Sequence, residues 1–524
     1  MRAVTRLSAI VSLAALAACQ STVEEVRSLA AGAPPLAAAP ARAMAGYLPG
    51  PAVAPSADRF ADTVPGGWKA VTDEPVSTFS ADVDTASYAF ARRLLREGRL
   101  PPVAAVRVEE MVNYFPYDYP APASADQPFA ATVTVAPSPW TDGARLVHVG
   151  VRGYDVTRDR RPPARLTFLV DTSGSMASQD RLPLVKQALM RLGDGLRADD
   201  RVAIVTYAGD ARVALDPTPG DDIARIEAAI QSLGAAGGTH GAAGIRTAYA
   251  LAQGMFARDA VNRVILATDG DFNLGLTNPR ELERMIADKR RTGVYLTVLG
   301  VGSGNLNDAL MQRLAQAGNG QAAYLDSLLE ARKVWVEELG STMFPIADDV
   351  KLQVEFNPAT VAAYRLVGYE TRALARHDFN DDRVDAGDIG GGHTVTVIYE
   401  VLPVGVPGAK LDPLRYAREA PPAAKADELA FLRIRYKLPG GAESRLIERP
   451  IRVAEALPRL DAAPTEIRFA VAVAGFAQLL RGESVGRLGF AEVAAAADDA
   501  RGRDPFGWRA EFVQLARMAA TMRR

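Results

Sequence analysis

An aspartate and two serines follow directly after an apolar stretch in the first half of the chain. The sequence LTFLVDTSGSMA spans residues 166–177 and places Asp171, Ser173 and Ser175 at alternate positions. The apolar run before them is typical of a buried strand. A carboxylate and two hydroxyls are hard oxygen donors, and such donors suit magnesium, manganese or calcium better than zinc or copper.

Two more oxygen donors lie further along the chain. Asp269 follows the apolar run of VILATDG, and Thr239 lies in the glycine-rich segment LGAAGGTHGAAG. Because glycine has no side chain, this segment can approach its neighbours closely and bring Thr239 beside the serines. The candidate metal ligands are therefore Asp171, Ser173, Ser175, Thr239 and Asp269, and the expected cofactor is Mg²⁺, Mn²⁺ or Ca²⁺.

The elements that would position these residues alternate between strand and helix patterns from about residue 164 to 340. Apolar strands alternating with amphipathic helices predict a parallel sheet covered on both faces, which is a doubly wound α/β domain. In the common strand order 3-2-1-4-5-6, the strands that end at Asp171 and Asp269 are neighbours where the order reverses. Ligands of such sheets bind at that crevice.

The motif resembles the metal-ion-dependent adhesion site of the von Willebrand factor type A family, which is D-x-S-x-S, then a distant Thr, then a distant Asp in T-D-G. The resemblance implies that Ser173, Ser175 and Thr239 contact the metal directly or nearly so, and that Asp171 and Asp269 hold bridging waters. Neutral hydroxyl ligands leave the metal electropositive, so it can accept an Asp or Glu carboxylate from a partner protein. The alternative is a chance D-x-S-x-S at a helix start, where Ser and Asp cap exposed amides.

The flanking sequence resembles bacterial YfbK-type lipoproteins in three segments: VSTFSADVDTASYAFARRLLREGRLPPVAAVRVEEMVNYFPYDYP, DFNDDRVDAGDIGGGHTVTVIYEV and GWRAEFVQLARMA. The strands before the α/β unit are too few to bury a face alone. We expect them to pair with strands after residue 345, so that the α/β unit is inserted in or flanked by a β-sandwich. The expected fold class is multidomain α/β plus β, with these segments: a signal peptide (1–19), a disordered Ala/Pro-rich tether (20–75), an N-terminal helical region (76–125), β-strands (126–160), the type A domain (161–342), a β-rich region (343–455) and a C-terminal helical region (456–524).

The first 19 residues have the sequence pattern of an export signal. Arg2 and Arg6 precede a short apolar run, and the sequence LAAC then ends at Cys19, the only cysteine. This pattern resembles the bacterial lipoprotein signal, which implies that Cys19 is acylated and anchors the protein to a membrane facing the periplasm. By the same resemblance to sorted lipoproteins, Gln20 in place of Asp favours the outer over the inner membrane. The alternative is an ordinary signal peptide that ends near a cysteine.

Composition narrows the function classes. A formal charge of −2 gives no sign of a nucleic-acid-binding surface, and four scattered histidines with one cysteine exclude a zinc cluster or an internal disulfide. The acidic segment 378–388 lacks the glycine and glutamate of a calcium loop, which favours a surface turn over a second metal site. We expect a non-enzymatic binding protein. A metal-dependent hydrolase and a purely structural envelope protein are the alternatives.

Overall fold

The computed structural model describes residues 57–61, 64–123, 126–156, 161–238, 241–270, 279–338, 344–384, 386–406 and 427–522. The strands are β1 (Lys69–Ala70), β2 (Val76–Ser80), β3 (Phe129–Pro137), β4 (Arg145–Gly153), β5 (Ala164–Asp171), β6 (Arg201–Tyr207), β7 (Ala211–Pro219), β8 (Val261–Thr268), β9 (Tyr295–Val301), β10 (Ala322–Leu325), β11 (Pro345–Phe356), β12 (Val361–Leu366), β13 (Gly387–Gly390), β14 (Thr394–Pro403), β15 (Glu428–Lys437) and β16 (Ser444–Arg452).

The helices are α1 (Ala86–Arg96), α2 (Val108–Asn113), α3 (Leu182–Met190), α4 (Ile223–Ser232), α5 (Gly241–Gly254), α6 (Pro279–Arg290), α7 (Asp308–Ala317), α8 (Leu328–Arg332), α9 (Thr465–Leu480), α10 (Phe490–Asp499) and α11 (Trp508–Ala519). Within the described ranges, none of these helices combines the length and the apolar character needed to cross a bilayer. The predicted signal peptide, with Cys19, lies outside the described residues.

The α/β unit is a six-stranded sheet in the order β10-β9-β8-β5-β6-β7. Numbered within the unit, this is the predicted order 3-2-1-4-5-6. β5 lies at the centre and pairs in parallel with β6 and β8, so the carboxyl ends of β5 and β8 meet. Buried apolar clusters cover both faces of the sheet. The sequence prediction missed β7, which is antiparallel to β6, and the four-residue β10.

Strands from both sides of the α/β unit share two further sheets. One has the order β1-β12-β14-β4-β3, and the other has the order β13-β11-β15-β16 with β2 also paired to β11. In the first, Val149 of β4 lies opposite Val397 of β14, and in the second, Phe79 of β2 lies opposite Leu352 of β11. All four side chains belong to one buried cluster between the sheets. The predicted β-sandwich with an inserted α/β unit is therefore confirmed.

A helical layer of α1, α2 and α9–α11 has its own core. Phe115, Phe469 and Phe512 meet edge to face with ring centroids 5.1–5.6 Å apart. Such aromatic pairs add stability beyond the apolar area that they bury. The helices expected at the C-terminus are present, whereas the region 76–125, expected to be helical, also contributes β2 to the sandwich.

Buried ion pairs join this helical layer to the α/β unit. Arg92 of α1 pairs with Asp326 and Glu330, and all three side chains are at most 2% exposed. Arg107 donates to Asp308 of α7 at 2.9 Å. Removing one member of a buried pair leaves an uncompensated charge, so these contacts hold the two parts in one arrangement.

The predicted tether ends earlier than expected. Several described residues before Pro75 contact the rest of the protein: the ring centroids of Phe60 and Phe90 lie 4.9 Å apart, and Lys69 pairs with Tyr364 of β12. The prediction of disorder up to residue 75 is therefore wrong for residues 57–61 and 64–75. Phe60 buries enough apolar surface to order this segment, which its Ala/Pro-rich neighbours would not do without it.

Candidate metal centre

β5 places Asp171 at the carboxyl edge of the α/β sheet. Residues 166–170 are fully buried, and the pairing with β6 ends with Asp171 opposite Tyr207. The chain then leaves the sheet and forms a short 3-10 turn at Gly174–Ala177. This turn brings the hydroxyls of Ser173 and Ser175 to 3.1 Å from each other.

The spacing of the two hydroxyls suits a small divalent cation. Mg²⁺ holds octahedral ligands at about 2.0–2.1 Å, so adjacent ligands lie about 3 Å apart. Ser173 makes no side-chain capping bond to the turn that follows it, and the residue that precedes α3 is Arg181. Helix capping, the alternative reading of the motif, therefore does not describe these hydroxyls.

Asp171 is buried and held by neutral donors. One oxygen accepts from the Ser173 amide at 2.8 Å, and the other accepts from the Tyr207 hydroxyl at 3.0 Å and the Thr268 hydroxyl at 3.4 Å. Burial raises the pKa of Asp171 above its usual value, the nearby charge of Asp269 adds to this rise, and the hydrogen bonds oppose it. The carboxylate is fixed in place, and none of these donors carries a positive charge.

The glycine-rich segment lies against the same loop, as predicted. Ala236 donates to the Thr172 carbonyl at 2.8 Å, and Gly174 donates to the Gly237 carbonyl at 3.0 Å. Gly237 has φ +86°, a conformation that favours glycine. Thr239 itself lies outside the described residues, so its part in the site stays a prediction.

Asp269 follows β8, and its side chain is fully buried. Asp269 forms an ion pair with Arg181, whose Nη1 lies 2.6 Å from Asp269 Oδ2. Gly270 comes next with φ +98°, and a Cβ there would lie 2.5 Å from the Asn307 amide nitrogen. Sequence reasoning missed Arg181, since its contact joins positions 88 residues apart. Its place six residues after Ser175 was the only available signal.

The structure thus brings Asp171, Ser173, Ser175 and Asp269 to one edge of the sheet. Their role as metal ligands stays a prediction. Across the described residues, no group of three or more His, Cys, Asp or Glu side chains could hold a metal ion. This finding is compatible with a site whose predicted direct ligands are hydroxyls.

Several carboxylates of the acidic segment 378–388 form ion pairs or accept hydrogen bonds. Asp381 accepts from Arg383 at 2.7 Å, and Asp382 accepts from Arg435 at 3.0 Å. Asp388 accepts from the Asn319 side-chain amide. Asp381 and Asp382 thus lie in a turn rich in charge pairs, whereas Gly387 and Asp388 belong to β13.

Comparison with known proteins identifies the family. Residues 54–148 match a family model described as von Willebrand factor, residues 166–334 match the von Willebrand factor type A domain, and residues 341–522 match a model described as "Uncharacterized protein YfbK, C-terminal". The Escherichia coli K12 protein described as "Uncharacterized protein YfbK" is 46% identical over 460 residues, which cover 86% of this chain and 79% of that protein. The chain belongs to the YfbK family of von Willebrand factor type A proteins.

Other similarities are more distant. Human inter-alpha-trypsin inhibitor heavy chain H4 is 25% identical over 191 residues, which are 33% of this chain and 20% of that protein. A solved structure described as von Willebrand factor type A from Catenulispora acidiphila aligns with a TM-score of 0.40 and 18% identity over 74% of this chain and 86% of that one. With the observed sheet order, the type A family match confirms the predicted fold class.

Proposed function

We propose that this protein is a non-enzymatic binding module that holds a partner protein through a divalent cation, Mg²⁺ or else Mn²⁺ or Ca²⁺. The observation that carries the proposal is the pair of hydroxyls of Ser173 and Ser175, which lie 3.1 Å apart at the sheet edge that also holds the buried carboxylates of Asp171 and Asp269. When bound, the metal supplies an electropositive coordination position for an Asp or Glu side chain of the partner.

The hydroxyl and the carboxylate side chains of the site would have different roles. Ser173 and Ser175, with Thr239, would hold the cation through neutral oxygens, so that its charge is little reduced. Asp171 and Asp269 would orient bridging waters, and Asp171 is already fixed by three donors. A site of this kind selects a carboxylate from outside because its own carboxylates do not fill the metal's coordination positions.

The same proposal places the protein in the periplasm, lipid-anchored through Cys19, in the outer membrane in preference to the inner one. Support comes from the basic start, the short apolar run and the LAAC sequence at residues 16–19. The sequence from residue 20 to 56 would serve as a tether between the lipid and the body.

The hydrolase alternative has less support. Metal-assisted hydrolysis needs a general base within reach of the attacking water. The two carboxylates described at the site are already engaged, Asp171 by three donors and Asp269 by Arg181. Among the residues that the structure describes at this edge, a base would have to be one of these two carboxylates, which the cation would also require.

The test uses the lipid-free body of the protein as bait for envelope proteins, with Mg²⁺ or with a chelator. The variant Ser173→Ala/Ser175→Ala removes both hydroxyls. Ser178→Ala is the matched control, because the Ser178 hydroxyl in the same loop donates to Asp180 at 2.6 Å and is exposed. Loss of the same partner in chelator and in the double variant, but not in the control, is the expected result.

Two other results would contradict the proposal in different ways. Unchanged partners together with a lower melting temperature would assign the metal a structural role. Metal-dependent turnover of a phosphoester or peptide library, abolished by the double variant, would favour the hydrolase.

A further inference from the structure

Arg181 is a cation built into the candidate metal centre. It immediately precedes α3, and its guanidinium reaches three loops at the carboxyl edge of the sheet. Nη1 donates to the Ser175 carbonyl at 2.8 Å and to Asp269 Oδ2 at 2.6 Å, and Nη2 donates to the Ser303 carbonyl at 3.0 Å. The side chain is 15% exposed, so the ion pair with the fully buried Asp269 is shielded from water.

The fold leaves room for this guanidinium. Gly302 follows β9 with φ +73°, and a Cβ at that position would lie 2.4 Å from Arg181 Nε. A side chain at residue 302 would therefore push the guanidinium away from Asp269. The loop that follows β9 therefore helps to hold Arg181 in place, because Gly302 lets it pack closely against the Arg181 side chain.

Arg181 and a divalent cation are alternative positive partners for the Asp269 carboxylate. The hydrogen bonds that fix Asp171 come from neutral donors, whereas Asp269 forms an ion pair with Arg181. A buried carboxylate without a positive partner is costly, so the guanidinium stabilises the metal-free site. By linkage, anything that stabilises the metal-free form lowers the apparent affinity for the metal.

We propose that Arg181 is an internal competitor of the metal: it neutralises Asp269 when no cation is bound and weakens divalent-cation binding when one arrives. This inference rests on the metal site of the proposed function and adds its regulation. Arg181 is a positioning residue here and touches neither the metal nor the partner. Its charge would hold the loops together in the metal-free protein. It would also raise the metal concentration that is needed to fill the site.

The test compares Arg181→Met, which removes the charge, with Arg181→Lys, which keeps it. Lys186→Met is the matched control, because Lys186 on the same helix donates only to the carbonyls of Gln231 and Leu233 at 2.8 Å. Isothermal titration with Mn²⁺ gives the dissociation constant, and melting with and without Mn²⁺ gives the stability of each form. If the Met variant does not fold, Arg181→Gln replaces it as the neutral variant.

We expect Arg181→Met to bind Mn²⁺ about tenfold more tightly, as removal of a unit charge one carboxylate away in a water-like dielectric implies. The same variant should melt at a lower temperature without metal and gain more from Mn²⁺ than the wild type. Arg181→Lys and Lys186→Met should stay within about threefold of the wild-type affinity.

Equal or weaker Mn²⁺ binding by Arg181→Met would overturn the competition and make Arg181 a brace of the loops. Absence of Mn²⁺ binding in the wild type and in every Arg181 variant would instead contradict the proposed metal-dependent function.

Discussion

One buried imidazole should contribute to the pH dependence of folding. His148 lies on β4 with 1% of its surface exposed, and its Nε2 is 3.1 Å from the Tyr119 hydroxyl. Burial lowers the pKa of His148 from 6.5 to about 3, because the charged ring would lose its hydration. The folded protein keeps the ring neutral above about pH 3, whereas the unfolded chain takes up a proton as the pH falls below 6.5.

The sign and size of the effect follow from these two pKa values. Since the unfolded state binds more protons, this contribution to stability is complete above pH 6.5 and is lost as the pH falls towards 3. At about 1.4 kcal/mol per pKa unit, the loss between roughly pH 7.5 and pH 5 is about 2 kcal/mol. The full loss, below about pH 3, approaches 5 kcal/mol.

The assay is urea unfolding at several pH values between about 7.5 and 5 for wild type, His148→Gln and His377→Gln. Gln keeps a polar group near Tyr119 but does not titrate, so the stability difference between wild type and His148→Gln should change by about 2 kcal/mol over this range. His377 is 85% exposed, and its replacement controls for the loss of one imidazole. Parallel curves for wild type and His148→Gln would refute the reasoning.

Three further substitutions test packing and buried charge by chemical denaturation. Gly270→Ala forces a side chain into a left-handed backbone that already abuts the next loop, and should cost about 2–4 kcal/mol; an unchanged midpoint would contradict the close approach. Arg92→Met leaves the buried carboxylates of Asp326 and Glu330 without this positive partner and should lower the free energy of unfolding by about 3–5 kcal/mol. An unchanged free energy of unfolding would mean that another group compensates their charge. Phe512→Ala empties the centre of the helical core and should cost about 3–5 kcal/mol, and a loss below about 1 kcal/mol would show that the core collapses around the gap.

Much of the fold could be predicted for two reasons. The apolar periodicity of a strand or helix lies within its own short stretch of sequence, and the strand order of doubly wound sheets is a general rule. The apolar runs that end at Asp171 and Asp269 give buried parallel strands, and the usual order of such sheets makes them neighbours. The hairpin strand β7 escaped prediction because its burial is partial and it carries Pro217. The ordered residues near Phe60 escaped because a few aromatic contacts outweigh the composition around them.

The candidate site was predictable in its oxygen donors but not in its charge balance. The spacing of Ser173 and Ser175 already implied that both hydroxyls face one point. The ion pair of Arg181 with Asp269 depends on how far a long side chain reaches across three loops, and neither periodicity nor motif spacing encodes that reach. The same holds for Arg92, whose partner Asp326 is 234 residues away.

The central claim is that the D-x-S-x-S loop binds a divalent cation. The most direct measurement is a Mn²⁺ titration of the metal-free body followed by electron paramagnetic resonance, for wild type and Ser173→Ala/Ser175→Ala. We expect one saturable site per chain in the wild type and none in the double variant. Equal Mn²⁺ binding by both proteins, or no binding by the wild type, would contradict it.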